Sequence, residues 1–257
     1  MEAQVARLVE KAWDKFQATP ADQRLLIGIS GIPGSGPQPP NPLRPPPQTN
    51  TAPGKTTLSQ IVTARLNKRS QALDPSSPPP AAFVPMDGYH LTRAQLSAMP
   101  DPANAHARRG AAFTFDAPAF HALVSSLREP LLPGGASPPV LAPSFDHAVK
   151  DPKADDIAVL ATHRIVVLEG NYLALDKAPW SDAARLLDEL WFVDVDFEVA
   201  RRRLVVRHVK AGIAKDEEEA DRRARENDLV NGREIVDCRM KVDEVVVSRE
   251  DDEWVHE

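Results

Sequence analysis

The sequence predicts an α/β protein: a parallel sheet with helices on both faces. Three observations lead there. RLLIGIS (24–30), AAFVPMD (81–87), HRIVVLEGN (163–171) and ELWFVDVD (189–196) are apolar in nearly continuous runs, as strands buried on both faces are. Helix-patterned segments separate them, as parallel crossovers require. A glycine or an acid stands at each strand end: Gly31, Asp87, Glu169 and Asp194. Ligands of such sheets bind beyond the carboxyl ends of the strands, so four strands deliver chemistry to one edge.

The remaining elements follow in order. Residues 2–18 form an amphipathic pattern with Val5, Leu8, Val9, Ala12, Trp13 and Phe16 on one face. LSQIVTARLNKR (58–69) reads as a helix and LTRAQLSAM (91–99) as a short one. Asp116 is placed to cap a helix that ends near Leu127. VLAPSFD (140–146) reads as extended. FEVARRRLVVRHVKAG (197–212) and DEEEADRRARENDLV (216–230) read as helices, the second stopped by Gly232. KVDEVVVS (241–248) reads as a last strand. Many of the 25 prolines lie in 37–53, 75–80 and 130–143; these read as loops, because proline fixes φ and donates no backbone hydrogen bond.

The 257 residues are read as one domain. The net charge of −6 gives no basic field for nucleic acid, and 5% aromatic residues offer little base stacking. The lone Cys238 excludes an internal disulfide framework and fits a reducing compartment. The N-terminus lacks the apolar core of a signal peptide, and no apolar run reaches bilayer length. The expectation is a cytoplasmic protein with no nucleic-acid or membrane partner. Helix 2–18 packs on the sheet or on a second subunit, which leaves a homodimer open.

A phosphate-binding loop, G-x-x-x-x-G-K-[ST], curls consecutive backbone amides around phosphates, while its lysine reaches the terminal phosphates and its hydroxyl binds Mg²⁺. Gly31 to Gly36 (GIPGSG) supplies one half and Gly54 to Thr57 (GKTT) the other. Joining Gly36 to Lys55 completes the motif between a strand and a helix. Between the halves stand the eighteen residues Pro37–Gly54, a proline-rich insertion. Three readings stay open: a genuine loop, a retained intron or a chance match. Eighteen codons keep the reading frame, and splicing would rebuild one glycine from the two at the boundaries.

FVPMDGYHLT (83–92) places Asp87 where a carboxylate can accept the proton of an attacking hydroxyl, or merely cap a turn. With it, GISGIPGSG and KTT, ARRGAAFTFD (107–116), PSFDHAVKDP (143–152) and VVLEGNYL (166–173) stand in an order that resembles the phosphoribulokinase, uridine kinase and pantothenate kinase group of P-loop kinases. The resemblance spans roughly residues 24 to 248 and rests on the set. It implies the P-loop NTPase-type fold with a helical lid over 197–232, ATP and Mg²⁺ as cofactors, and phosphotransfer to a hydroxyl of a small metabolite: a nucleoside, a pantothenate-like molecule or a sugar. A nucleotide-binding protein or ATPase lacking kinase activity is the alternative, because the phosphate loop is interrupted.

Carried over residue by residue, the resemblance implies that Gly31, Gly34, Ser35, Gly36, Gly54, Lys55, Thr56 and Thr57 hold the nucleotide, with Thr56 and Glu169 at the metal. Asp87 is the implied catalytic base, acting with Lys55 and Arg203, and Arg207 covers the phosphates. Arg203 and Arg207 share a helix face at i, i+4. Tyr89, His90, Arg108, Arg109, His147 and Asn171 are implied on the acceptor side, with Phe113 and Lys150 nearby. The bland reading of Arg108 and Arg109 is a solvated basic pair; the resemblance gives Asn227 and Asp228 in ENDLVNG a minor place in the lid region, with helix capping as their bland reading. DGYHL is nearer the pantothenate kinase style, yet a full pantothenate pocket is missing, so the acceptor does not transfer.

Overall fold

The structure, a computed structural model, describes residues 2–36, 54–146 and 148–248. The proline-rich stretch 37–53 and His147 lie outside the described residues. In chain order the elements are α1 (Glu2–Ala18), β1 (Leu25–Gly31), α2 (Lys55–Leu73), β2 (Ala81–Pro85), α3 (Arg93–Ser97), α4 (Pro102–Ala107), α5 (Ala117–Arg128), β3 (Val140–Asp146) and β4 (Asp151–Val159). They continue with β5 (Ile165–Glu169), α6 (Trp180–Ala184), β6 (Glu189–Asp194), α7 (Phe197–Lys210), α8 (Glu217–Arg223), α9 (Leu229–Asp237) and β7 (Glu244–Val247).

Five strands form the parallel sheet, in the order β2-β5-β1-β6-β7. All seven residues of the central β1 are buried, the reason its sequence shows no alternation. Ile29 and Pro85 both pair with Glu169, and Gly31 pairs with Val193, so the carboxyl ends finish together. One face of the sheet packs Leu25, Ile27, Ile29, Trp191 and Val193 against α1 and α2. The other packs Leu26, Val84, Val166, Leu168 and Phe192 against α5, α6 and α7.

The apolar face of α1, Val5, Leu8, Val9, Ala12 and Trp13, packs on the sheet of its own chain. Charge fastens it there. Lys11 and Lys15 place their ammonium groups 2.8 and 2.7 Å from the buried Glu189, which also accepts from Trp191 Nε1 at 2.9 Å. Arg7 and Lys11 hold Glu244 on β7 at 2.7 and 2.9 Å.

The extended reading of 140–146 holds: it is β3, half of an antiparallel hairpin with β4 that shares no strand with the parallel sheet. Its partner strand was not foreseen because residues 153–156 are exposed, so no apolar face marks them. One expectation needs correction: the helix of the lid region does not stop at Gly232. After α8 the chain makes a π turn, Ala224–Asp228, and continues as α9 through Gly232. A Cβ there would lie 3.3 Å from Phe197 Cε1 and 3.4 Å from Ile32 Cβ, so glycine serves close packing of α9 rather than an ending. Asp116 does cap α5, its side chain accepting from Ala119 N at 3.0 Å.

Candidate active site

The phosphate loop leaves β1 with Gly34 at φ +79°, a left-handed conformation open to glycine. A Cβ there would also lie 2.5 Å from the Ala200 carbonyl oxygen of α7. Ser35 is buried, and its Oγ has no hydrogen-bond partner among the described residues. Across the insertion Gly36 and Gly54 abut: a Cβ on Gly54 would lie 2.0 Å from Gly36 Cα. Gly54 is the N-cap of α2, so Lys55, Thr56 and Thr57 occupy its first turn, where amides and helix dipole favour an anion.

Glu169, at the end of β5, faces that turn. It accepts a hydrogen bond from Thr56 Oγ1 at 3.1 Å, and Lys55 Nζ stands 3.9 Å from its other oxygen. Burial pushes the Glu169 carboxyl up to about 7, opposed by Lys55 and reinforced by Asp87. Burial likewise lowers the Lys55 ammonium; Glu169 opposes this and Arg207 adds to it. Lys55, Thr56, Glu169, Asp87 and Arg207 thus form one electrostatic unit. A buried carboxylate beside a hydroxyl, its proton affinity raised for want of cationic compensation, suits a divalent cation. Among the described residues no cluster of three His, Cys, Asp or Glu side chains could hold a metal ion. Mg²⁺ needs none, since it uses one or two carboxylates with phosphate oxygens and water.

Asp87 lies in a 3₁₀ turn, Met86–Tyr89, directly after β2. A Cβ on Gly88 would fall 2.0 Å from the Pro143 carbonyl oxygen, so the turn presses against the hairpin. His90 places Nδ1 2.8 Å from the Asp87 carbonyl oxygen, and its ring lies between Phe115 and Phe145, at centroid distances of 4.0 and 4.9 Å. Tyr89 instead turns into the core, edge-on to Phe120.

The two rim arginines are built into the scaffold. Arg109 donates to the Leu91 carbonyl at 3.2 Å and to Asp151 at 3.0 Å, fastening the hairpin. Arg108 donates to Asn227 Oδ1 at 2.9 Å and Asn231 Oδ1 at 2.7 Å. Asn227 returns a bond to the Arg109 carbonyl at 3.2 Å. Asn171 accepts from Ser30 Oγ through its backbone carbonyl at 2.9 Å, while its buried side-chain Oδ1 has no hydrogen-bond partner in the structure. Phe113 and Lys150 are exposed, Lys150 closing the hairpin turn through its amide to the Asp146 carbonyl.

On α7 the shared face divides. Arg207 is exposed, and its positive charge lowers the Lys55 ammonium further and opposes the rise of the Glu169 carboxyl. Arg203 is buried beneath the loop, donating to the Ser35 carbonyl at 3.3 Å and Ser248 Oγ at 3.1 Å. Arg201 pairs with Asp221 and Glu198. Sequence reasoning did not select Asn231 or Asp151 and gave Asn227 only a weak place. The i, i+4 spacing of Asn227 and Asn231 in a charge-rich helix was the available signal.

A strand, phosphate loop and helix joined to a strand-end Glu169 and Asp87 define a P-loop kinase. The relatives narrow this. No family model matches the chain. It is 56% identical over 161 residues to the ATP-dependent kinase-like protein notR' of Aspergillus versicolor, covering 63% of this chain and 92% of that protein. It is 38% identical over 211 residues to a Schizosaccharomyces pombe protein provisionally named uridine kinase C227.14, covering 81% and 77%. The crystal structure of YFH7 from Saccharomyces cerevisiae, 22% identical, superposes with a TM-score of 0.77 over 95% of this chain and 98% of that one. The chain belongs to the ATP-dependent, uridine kinase-like P-loop kinases.

Proposed function

We propose that the chain transfers the γ-phosphoryl group of ATP to a hydroxyl of a small metabolite, a nucleoside, a pantothenate-like molecule or a sugar. The observation that supports this is the meeting of Thr56 and Lys55 with Glu169 at the carboxyl end of β5, at 3.1 and 3.9 Å, with Asp87 following β2 directly after Pro85, which pairs with Glu169. Lys55 and the first-turn amides of α2 hold the phosphates. Thr56 and Glu169 would hold Mg²⁺, which supplies charge neutralisation when bound. Asp87 orients the acceptor hydroxyl and takes its proton, while Arg207 opposes the charge that spreads over the transferring group. Arg203 holds the loop from below. The Asn171 side chain, the His90 stack and the hairpin shape the acceptor side.

The rival reading, a nucleotide-binding protein or ATPase disabled by the interrupted loop, is disfavoured by the contact of Gly36 with Gly54. The test is MgATP-dependent ADP release with uridine, pantothenate, D-glycerate and fructose added singly. Stimulation by one acceptor, lost in Asp87→Asn by about a hundredfold or more while MgATP still binds, supports the proposal. ADP release that no acceptor stimulates favours the ATPase, and none at all favours a binding module.

A further inference from the structure

Arg108 is held by two amides and by no acid. Its Nε donates to Asn227 Oδ1 at 2.9 Å and its Nη2 to Asn231 Oδ1 at 2.7 Å. Both asparagines are buried, at 4% and 1% exposure, and Arg108 is half-buried. An arginine offers only donors, so the atoms that face it are the amide oxygens. The amide nitrogens bond within the network: Asn227 Nδ2 donates to the Arg109 carbonyl at 3.2 Å, and Asn231 Nδ2 to Asn227 Oδ1 at 3.4 Å. Nearby acids are committed to other cations. Asp151 holds Arg109 at 3.0 Å, and Glu234, on α9 with Asn231, holds Lys177 at 2.5 Å. Among the described residues Arg108 has no carboxylate partner, and its Nη1 makes no hydrogen bond.

The loop that carries Arg108 is stitched to both strand ends of the site. Arg109 Nη2 reaches the Leu91 carbonyl at 3.2 Å, shortly after Asp87 in the chain. The Gly110 carbonyl accepts from Tyr172 Oη at 2.6 Å, shortly after Glu169. Asn171, next to Tyr172, has a buried Oδ1 with no hydrogen-bond partner among the described residues, an acceptor suited to a hydroxyl. Aspartates in place of Asn227 and Asn231 would make the same bonds to Arg108 and cancel its charge. Amides restrain the guanidinium, which lowers the entropy cost of meeting an anion, and leave its charge to be met. A half-buried cation without an anion carries a desolvation cost that an anionic ligand offsets.

We infer that the phosphoryl acceptor is a small hydroxy compound bearing an anionic group, a carboxylate or a phosphate, and that Arg108 binds this group. Asn227 and Asn231 are positioning residues, which hold the guanidinium without neutralising it. This rests on the kinase reading above, and within it favours a charged acceptor over a nucleoside or a free sugar.

The experiment is MgATP-dependent ADP release by the full chain with acceptors matched except for the anion. The pairs are D-glycerate with glycerol, pantothenate with pantothenol, and fructose 6-phosphate with fructose; uridine is a further neutral compound. One anionic compound should exceed its neutral counterpart by about a hundredfold or more in kcat/KM, and the pair that responds separates carboxylate from phosphate. For that acceptor Arg108→Gln should raise KM about tenfold or more, with kcat within about threefold. Asn231→Asp keeps the hydrogen bond to Arg108 and cancels the charge, so it should raise the same KM about tenfold while the KM for MgATP stays within about twofold. Asn227→Asp makes the same test if that variant does not fold. A network that is only structural gives the opposite result: the aspartate variants keep the acceptor KM, and Arg108→Gln lowers the melting temperature and raises both KM values. That result overturns the inference, as does a neutral compound used as well as its anionic counterpart. ADP release that none of the acceptors stimulates overturns the kinase reading itself, and this inference with it.

Discussion

Gly54 lies against Gly36 as though the two were neighbours in sequence, with the position of an added Cβ 2.0 Å from Gly36 Cα and 2.4 Å from Gly36 N. The difficulty raised by the insertion was that it enters between amides that must be consecutive. The contact answers part of it, because Gly36 and Gly54 lie against each other and Lys55 still opens α2. The chain with and without residues 37–54 should therefore both bind MgATP, within about a hundredfold of each other by loop-closure entropy. Gly54→Ala should abolish binding in the full chain, since the clash is with backbone that has nowhere to go. Calorimetry decides both. Whether the insertion is a genuine loop or a retained intron is a matter for transcripts across residue 36; uniform inclusion would sink the intron.

Gly88→Ala should separate the two substrates. Its Cβ would fall 2.0 Å from the Pro143 carbonyl oxygen, so the hairpin must move from the turn that carries Asp87. The KM for the acceptor should rise about tenfold or more, while MgATP affinity stays within about twofold, because a displacement of this kind harms orientation. Steady-state kinetics with either substrate varied would show it, and an equal rise in both KM values would refute it.

Glu169 gives a pH signature. Its carboxyl is raised by burial from 4.5 to about 7. The fold therefore favours the protonated form, and this contribution is complete below 4.5, declines as pH rises and is gone above 7. The nucleotide-free protein should lose on the order of 2 kcal/mol between pH 5 and 7 relative to Glu169→Gln. Urea unfolding of both proteins at several pH values measures the difference; parallel curves would contradict it.

Glu189 is a stability prediction. Burial pushes its carboxyl up, but the hydrogen bonds from Lys11, Lys15 and Trp191 outweigh burial and hold it below the usual range. Glu189→Ala should cost about 2 kcal/mol, less than a fully buried pair because both lysines reach water. The loss should appear as a lower denaturation midpoint, with α1 the first element to exchange its amides. An unchanged midpoint would mean that apolar packing alone secures α1.

The fold was legible where burial leaves a periodic mark. The face of Val5, Leu8, Val9, Ala12 and Trp13 gave α1 with its boundaries, and unbroken apolar runs gave β1, β5 and β6. The phosphate side was legible because Lys55, Asp87 and Glu169 sit at strand or helix ends, where sequence position fixes spatial position. The acceptor side was not. β4 is solvated along its middle and carries no pattern, and the direction of Tyr89 depends on Phe120, thirty-one residues away. Helical periodicity put Arg203 and Arg207 on one face but could not say that the first would end beneath the Ser35 carbonyl. The π turn has no mark in DRRARENDLV, since an extra residue per turn is a tertiary accommodation.

The β3–β4 hairpin is held by Arg109 and the Arg93 amide on Asp151, by the His90–Phe145 stacking and by the Gly88 contact, and it seats Ala142 and Val159 in the core beneath the sheet. None of its own residues pairs with the parallel sheet. Its tie to the rest of the chain is therefore a matter of side chains and packing, not of a shared ladder. Substitutions at its solvated positions, 153–156, can accumulate while the pairing of β1 with β5 and the first turn of α2 keep their geometry, whereas Ala142 and Val159 answer to the core.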